Sequence, residues 1–518
     1  MAFEHERVEV MKFGGTSMDD MDQVEAIERQ ESADAHTVFV VSAFSGVTDK
    51  LFKIADGLIP FQKLGSEKMN VTAFEPLIQD TLQRIRSAVS QKDGADLSHV
   101  ENFLRNYVAH ALKVLKFYVD QLLVASEGER ELLKNIVRDR IISIGEVFSA
   151  HALSVVLTAR SEIGKVYQDI DTTDVVPRPA NGLQIHPVRG ADKLKLYQDI
   201  STGLGGKALG VLKKGQSPIV PGYVGWVPGA IQETIERGYT DWTAAIVARG
   251  LDDQLSQDGM AVDLTIWKEV PGLLSADPRL VEPGYSGKTH ITHNDFKVAL
   301  LRRIITFREA AELSAGAGMK AINPNGIFVL DKSRVRLFVR NTFDIQDKGT
   351  RVIPNGEGHK NTQLDKEMKG IRFVSGKKNQ TMFTVESDRM VAQEGVAADI
   401  LGECRRLGVG VDAITTSATS LSFSVNSNDP NIDKLQLRLR GLGSVERQDK
   451  LALVCCIGNK LRGEVGLLAK LSAILGHNGI NIEFDGGDKD SNLTFVVDQK
   501  DYEKAVKVLH GELFDETK

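Results

Sequence analysis

Apolar residues follow two rhythms along this chain. Residues 8–13 and 37–41 are short, β-branched runs bounded by turn or polar residues, the pattern of strands buried on both faces. From 69 to about 157 the spacing lengthens. Leu82, Ile85 and Val89, then Val108, Leu112, Leu115, Val119 and Leu122, recur at helical intervals and predict core-packed helices. Residues 217–223 and 260–270 return to strand character, with a helix over 242–251 between them. This alternation continues to about residue 330 and predicts an α/β domain with a mainly parallel sheet sandwiched by helices. Such sheets bind ligands beyond the carboxyl ends of their strands, so the loops there are where chemistry is expected.

Residues 356–363 are polar and read as a linker, and the texture changes after them. Two segments repeat at a period of about 70 residues. The first has a helix around 396–407, then Gly410-Val411-Asp412-Ala413-Ile414, then an alternating strand over 419–425. The second has a helix around 467–477, then Gly479-Ile480-Asn481-Ile482-Glu483, then a strand over 492–497. Each is preceded by a further strand, 380–385 and 451–457, and followed by a helix. That order is close to the ferredoxin-like βαββαβ sandwich. The predicted organisation is a catalytic domain over 1–345, a linker over 346–368, and small tandem domains over 369–445 and 446–518.

Composition bounds the function. At 518 residues the chain is too long for one core. With 42% hydrophobic and 26% charged residues it has the balance of an ordinary globular protein. A formal net charge of −6, from 64 basic and 70 acidic residues, argues against a nucleic-acid partner met through a basic face and permits anionic small substrates. Cys404, Cys455 and Cys456 form neither a disulfide framework nor a zinc pattern and read as buried thiols; no resident metal site is expected. The first nine residues are charged and lack an apolar core, so no signal peptide is expected, and no apolar run reaches the roughly 18 residues of a membrane span. A cytoplasmic location is the default expectation.

The most informative local sequence is Val10-Met11-Lys12-Phe13-Gly14-Gly15-Thr16-Ser17. A short strand runs into a lysine, two glycines and two hydroxyl residues, with a helical pattern beginning near Met18. Glycines let backbone approach an anion. Thr16 and Ser17 suit a helix N-cap, and a helix N-terminus offers free N–H groups and a partial positive charge. The segment reads equally as a phosphate site or as a tight strand-to-helix turn.

Further motifs narrow that choice. Val40-Val41-Ser42-Ala43-Phe44-Ser45-Gly46-Val47-Thr48, Ser143-Ile144-Gly145-Glu146, Arg237-Gly238-Tyr239-Thr240-Asp241, Trp267-Lys268-Glu269-Val270-Pro271-Gly272-Leu273-Leu274-Ser275-Ala276-Asp277-Pro278-Arg279 and Gly318-Met319-Lys320 follow in order. With the opening segment, these blocks resemble the signatures of aspartate kinases, and the repeated C-terminal segments resemble that family's paired ACT domains. The resemblance spans nearly the whole chain. It implies an amino acid kinase-like fold, MgATP and L-aspartate as substrates, and phosphorylation of the β-carboxylate to 4-phospho-L-aspartate, the first step toward lysine, threonine and methionine. It implies that Lys12 and Asp241 are catalytic. Ser42, Thr48, Glu146, Arg237 and Thr240 bind substrate, with Arg237 on the α-carboxylate and Glu146 on the α-ammonium. Gly14, Gly15, Lys268, Glu269, Asp277, Arg279 and Lys320 bind nucleotide. Asp412, Thr415, Asn481 and Asp485 would carry a lysine or threonine effector, and the ACT domains would form a homo-oligomer. Thr240 also suits an N-cap, and Asp277-Pro278 a surface turn.

Some positions depart from the pattern. Glu236 stands in place of the usual glycine before Arg237, Trp242 follows Asp241, Asn323 replaces a histidine, and Ala418 stands where glutamate is frequent. These leave two alternatives beside a regulated aspartate kinase: a kinase for another carboxylate such as glutamate or N-acetylglutamate, and a catalytically impaired amino-acid-binding regulatory protein.

Overall fold

A computed structural model describes residues 5–58, 71–89, 96–122, 125–172, 175, 188, 191–223, 227, 231, 235, 238–282, 298–317, 322–355, 368–392, 394–488 and 490–514. The chain divides into two compact units, Met1–Pro271 with Asn325–Arg351, and Gly272–Pro324 with Val352–Lys518. The division is interleaved: residues 272–324, expected in the N-terminal domain, cluster with the C-terminal part. Within that second unit, Arg372 reaches back to Glu309 at 3.0 Å in a buried ion pair, and Val374 N–H donates to the Ser275 carbonyl at 2.8 Å.

The first unit is built on parallel strands β1 (Arg7–Phe13), β2 (His36–Val41), β3 (Tyr167–Asp169), β4 (Ser217–Pro221), β5 (Ala261–Lys268) and β6 (Arg336–Asn341), which run in the order β3-β4-β2-β1-β5-β6. Every adjacent pair among them is parallel. Strand β1 lies between β2 and β5, so the chain changes direction across the sheet beside β1. A crevice opens at the carboxyl ends of the strands at such a switch point. Helices α1 (Gly15–Met18), α2 (Met21–Glu31), α3 (Val47–Leu58), α4 (Glu75–Val89), α5 (Ser98–Leu122), α6 (Glu127–Arg160), α7 (Ala191–Leu212) and α8 (Tyr239–Leu255) accompany the sheet. Helix α8 packs tightly on α7: a Cβ at Gly250 would lie 2.0 Å from the Ser201 carbonyl. Trp242, a departure in sequence, is a core residue, wholly buried and edge-on to Tyr197 at 4.9 Å.

Helix α6 is long and apolar enough to cross a membrane by composition, with a mean hydropathy of 1.7 over its most apolar stretch, and 83% of that stretch is buried inside the unit. It is the core helix of this fold, and it carries polar residues inward: Asp139, Arg140, Ser143, Glu146 and Ser149 are all buried.

The second unit contains one antiparallel sheet of β7 (Gly370–Glu386), β8 (Val411–Thr416), β9 (Ser420–Asn426), β10 (Ser444–Asn459), β11 (Phe484–Gly486) and β12 (Asn492–Asp498), in the order β8-β9-β7-β10-β12-β11. Helices α9 (Val396–Leu407), α10 (Ile432–Leu439), α11 (Leu467–His477) and α12 (Tyr502–Phe514) complete two modules. The long strands β7 and β10 pass through both. The start of β7 puts Val374 into one core with Val454, Leu471 and Phe495. Its end puts Phe383 and Val385 into the other, with Ile400, Phe423 and Leu435, while Val445 at the start of β10 packs there too. The β7–β10 register shifts between Lys377 and Gln380, beside Asn379 at φ 60°. Lys450, at φ 62°, marks the matching point on β10. Each module therefore has four strands and two helices, with half a strand supplied from the other's sequence range. Cys404, Cys455 and Cys456 are buried free thiols.

Candidate active site

Lys12 sits at the carboxyl end of β1, in the crevice the topology opens. Phe13 beside it stacks on Trp267 at 6.4 Å and on Phe39 at 6.2 Å, which fixes the strand end between its two neighbours. Helix α1 begins at Gly15, capped by Gly14 in extended backbone rather than by Thr16 or Ser17. Ser17 instead packs inward and shares a hydrogen bond with Thr342 at 2.8 Å. Only glycine fits at 15, because a Cβ there would lie 2.8 Å from the Ala43 carbonyl. A Cβ at Gly14 would stand 3.6 Å from the Lys12 ammonium and 4.0 Å from Glu269 Oε1, so charged groups converge above this turn.

The Lys12 ammonium is 2.7 Å from Asp241 Oδ1, and the Lys268 ammonium is 3.2 Å from Asp241 Oδ2. Lys12 and Asp241 are 9% and 7% exposed. Asp241 occupies the first turn of α8, which starts after Gly238 in the left-handed conformation at φ 86°. Gly238, not Thr240, is the N-cap. Burial works to raise the Asp241 pKa, but Lys12 and Lys268 outweigh it and hold the carboxyl below its ordinary value. Burial likewise lowers the Lys268 pKa, with Lys12 adding repulsion and Asp241 opposing. Buried Lys12 and half-buried Lys268 thus share one carboxylate, with Glu269 also near Lys268, and their ammonium groups are donors suited to phosphate oxygens.

Glu146 is the second centre. It lies inside α6, not at a helix start, and is 1% exposed. Gly145 lets that turn press on the 43–51 segment: a Cβ there would meet Leu51 and Val47 at 2.9 Å. The Thr240 hydroxyl donates to Glu146 Oε1 at 3.4 Å. Glu146 Oε2 is buried and has no hydrogen-bond partner. Burial pushes the carboxyl up to about 8, against the pull of the Tyr239 and Thr240 hydroxyls, the Lys12 charge and the Tyr223 N–H. A buried carboxylate oxygen without a donor is a place for a ligand cation. Gly222, just beyond β4, makes this approach possible, since a Cβ there would meet Thr240 at 2.7 Å and Glu146 Oε2 at 3.0 Å.

The remaining site expectations divide. Ser42 follows β2 and donates its N–H to the Phe13 carbonyl at 3.1 Å; Thr48 opens α3. Arg237, Glu236 and Lys320 lie outside the described residues. Asp277 and Arg279 belong to the second unit and pair with each other at 2.6 Å, with Asp277 also accepting the Arg279 N–H as a local cap. That is the surface-turn arrangement. Asp412 and Thr415 lie on β8, and Asp412 pairs with Lys377 at 2.6 Å. Asp485 lies on β11, and the Asn481 amide before it donates to Glu483 at 2.9 Å. Strands β8 and β11 approach within 8 Å between Cα atoms. Sequence reasoning passed over Gly222 and Tyr223; their place directly after a buried strand was the available signal.

The amino acid kinase family model matches residues 7–341. The chain belongs to the amino acid kinase family. An ACT domain model matches residues 454–513, within the second unit. The chain is similar to the aspartokinase of Schizosaccharomyces pombe, 26% identical over 98% of this chain and 92% of that one. It is similar to the lysine-sensitive aspartokinase 3 of Escherichia coli, 27% identical over 98% of this chain and 99% of that one. The crystal structure of E. coli aspartokinase III in complex with aspartate and ADP shares the fold, with a TM-score of 0.69 over 98% of this chain and 100% of that one at 24% identity. The expected fold class and the expected likeness to aspartokinases are both met.

Proposed function

We propose that this chain is an aspartate kinase that transfers the γ-phosphoryl group of MgATP to the β-carboxylate of L-aspartate. One observation carries the reading. A buried glutamate with an unpartnered oxygen, Glu146 on α6, lies against Gly222 just past β4, and the group of Lys12 on β1, Asp241 on α8 and Lys268 on β5 is close enough for Lys12 to act on the charge of Glu146. The first suits an α-ammonium and the second suits phosphate and carboxylate oxygens. Full-length likeness to aspartokinases supports the substrate.

In this reaction a β-carboxylate oxygen attacks the γ-phosphorus, the bond to the β,γ-bridging oxygen breaks, and ADP leaves. The nucleophile is already ionised, so no base is needed. Lys12 neutralises charge shared by the attacking carboxylate and the transferring phosphoryl group, and Asp241 holds Lys12 in place. Backbone at Gly14 and Gly15 lies against the phosphates. Among the described residues no group of three or more His, Cys, Asp or Glu side chains forms a metal site, and both Asp241 oxygens face lysines. These residues do not fit a protein-held Mg2+; the ion enters as part of the MgATP substrate.

The second unit is read as the regulatory part, with Asp412, Thr415, Asn481 and Asp485 receiving an amino-acid effector. The lysine sensitivity in the E. coli relative's name supports lysine as the first ligand to try. The ACT modules are read as the contact of a homo-oligomer.

ADP release by the pure chain with MgATP and, in turn, L-aspartate, L-glutamate and N-acetyl-L-glutamate tests the substrate. Turnover with L-aspartate at a kcat/KM well above the others is expected. Preference for another acid, or no turnover by folded protein, contradicts the reading.

A further inference from the structure

A helix of four residues cannot hold its own position, because it closes too few internal hydrogen bonds. Helix α1 is such a helix, and it continues the turn of Gly14 and Gly15 that lies against the phosphates in the proposed reaction. Its anchors therefore set where that turn stands. On one side Gly15 lies close against the Ala43 carbonyl. On the other, the Ser17 hydroxyl shares its 2.8 Å hydrogen bond with the Thr342 hydroxyl, and neither residue is exposed.

Thr342 stands one residue past β6, where the strand ends. Its backbone N–H donates to the Lys268 carbonyl at 2.8 Å, and its own carbonyl accepts the Gln23 side-chain amide of α2 at 2.7 Å. One buried residue thus joins three pieces: the helix that continues the glycine turn, the helix after it, and the lysine that shares Asp241 with Lys12. The residues around it brace the same strand ends. The Arg340 guanidinium lies over the Trp267 ring, 4.4 Å from its centre, and that ring stacks within 3° of parallel on Phe13, next to Gly14. Asn341 accepts the Phe343 N–H at 3.0 Å through its side chain, which fixes the backbone on both sides of Thr342.

Phosphoryl transfer depends on placing donors around the phosphates, and a displacement of about 1 Å can cost on the order of 100-fold in rate. Without the Thr342 hydroxyl, the buried Ser17 hydroxyl loses its partner and α1 shifts to relieve it. Lys268 stays, because the backbone N–H that holds its carbonyl remains. The glycine turn then moves relative to the two lysines.

We propose that Thr342 is a positioning residue for phosphoryl transfer: it sets the glycine turn against Lys12 and Lys268, and so the fit of the nucleotide phosphates among them. The proposal rests on the reading of the chain as an aspartate kinase.

The test is steady-state kinetics of the full chain, with MgATP and L-aspartate varied in turn. Thr342→Val keeps the side-chain shape and both backbone hydrogen bonds and removes the hydroxyl. It is expected to lower kcat/KM for MgATP about 10-fold or more, with KM for L-aspartate within about 2-fold of the parent. Ser17→Ala removes the same bond from the other side and is expected to show the same loss. The double variant is expected to lose no more than either, because the two hydroxyls act as one unit. Thr342→Ser keeps the hydroxyl and is expected to stay within about 2-fold of the parent. An unchanged kcat/KM for MgATP in Thr342→Val overturns the proposal, whatever its melting temperature. So do additive losses in the double variant, an equal loss toward both substrates, or a loss in Thr342→Ser as large as in Thr342→Val. Should Thr342→Val fail to fold, Ser17→Ala decides by the same comparison of the two substrates. If the unaltered protein turns over no L-aspartate, the kinase reading fails on its own. Thr342 is then judged by thermal shift with MgADP: a shift reduced in Thr342→Val and kept in Thr342→Ser upholds its role, and no shift in the parent, or an equal shift in all three, overturns it.

Discussion

The Lys12 ammonium lies 2.7 Å from Asp241 Oδ1, at the meeting of the first strand and the helix that opens after Gly238. Both are buried, so neither charge is tolerable alone. Asp241→Asn removes the carboxylate charge that Lys12 and Lys268 share. The lysines turn apart and the phosphoryl group loses its aligned cation. A fall in kcat of about 100-fold or more is expected, with the circular dichroism spectrum retained. Steady-state kinetics check it.

Glu146 gives a pH signature. Its carboxyl is pushed up to about 8 by burial, so it is mostly protonated at pH 6.5 and ionised above pH 8.5. Only the ionised form attracts an ammonium. The kcat/KM for L-aspartate is therefore expected to rise with pH through about 8, since that parameter reports the free enzyme. Glu146→Gln is expected to flatten this limb and lower kcat/KM by about 10- to 100-fold. A flat profile in the unaltered protein counts against the role.

Glu9 carries a similar shift with a structural readout. Burial pushes its pKa up to about 8, against a hydrogen bond from the Thr265 hydroxyl and with added repulsion from Asp263 and Glu31. The folded protein holds a proton there that the unfolded chain releases near 4.5. That contribution is full below pH 4.5 and is lost as pH rises to about 8. Glu9→Gln keeps the shape and removes the titration. Its melting temperature is expected to exceed the parent's at pH 9 by at least about 2 °C, on the order of 1 kcal/mol, with the gain shrinking toward pH 5.

Gly15 tests the turn. An alanine there meets the Ala43 carbonyl at 2.8 Å, and backbone cannot swing aside as a side chain can. Gly15→Ala is expected to cost about 1–3 kcal/mol of stability and at least about 10-fold in activity. Thermal melts and turnover together check it.

The folds of both units were legible where pattern and punctuation agree. Helices α9 and α11 fall where periodicity places them, since Gly408 closes the first in left-handed backbone and Gly466 opens the second. The crossing of β7 and β10 between modules was not legible. It turns on Asn379 and Lys450 at positive φ; asparagine is enriched in that conformation but lysine is not, so only half of the crossing carried a signal. In the site, Lys12, Asp241 and Glu146 were readable because ordered motifs surround them. Lys268 was legible as a residue expected to bind nucleotide, but its pairing with Asp241, shared with Lys12, was not.

The central claim is that this lysine-centred crevice phosphorylates the β-carboxylate of aspartate. Trapping the product with hydroxylamine after incubation with MgATP and L-aspartate tests it most directly. The account predicts β-aspartyl hydroxamate from the unaltered chain, and a loss of at least about 100-fold in Lys12→Ala with the fold intact. No hydroxamate from folded protein, or undiminished formation in Lys12→Ala, would contradict it.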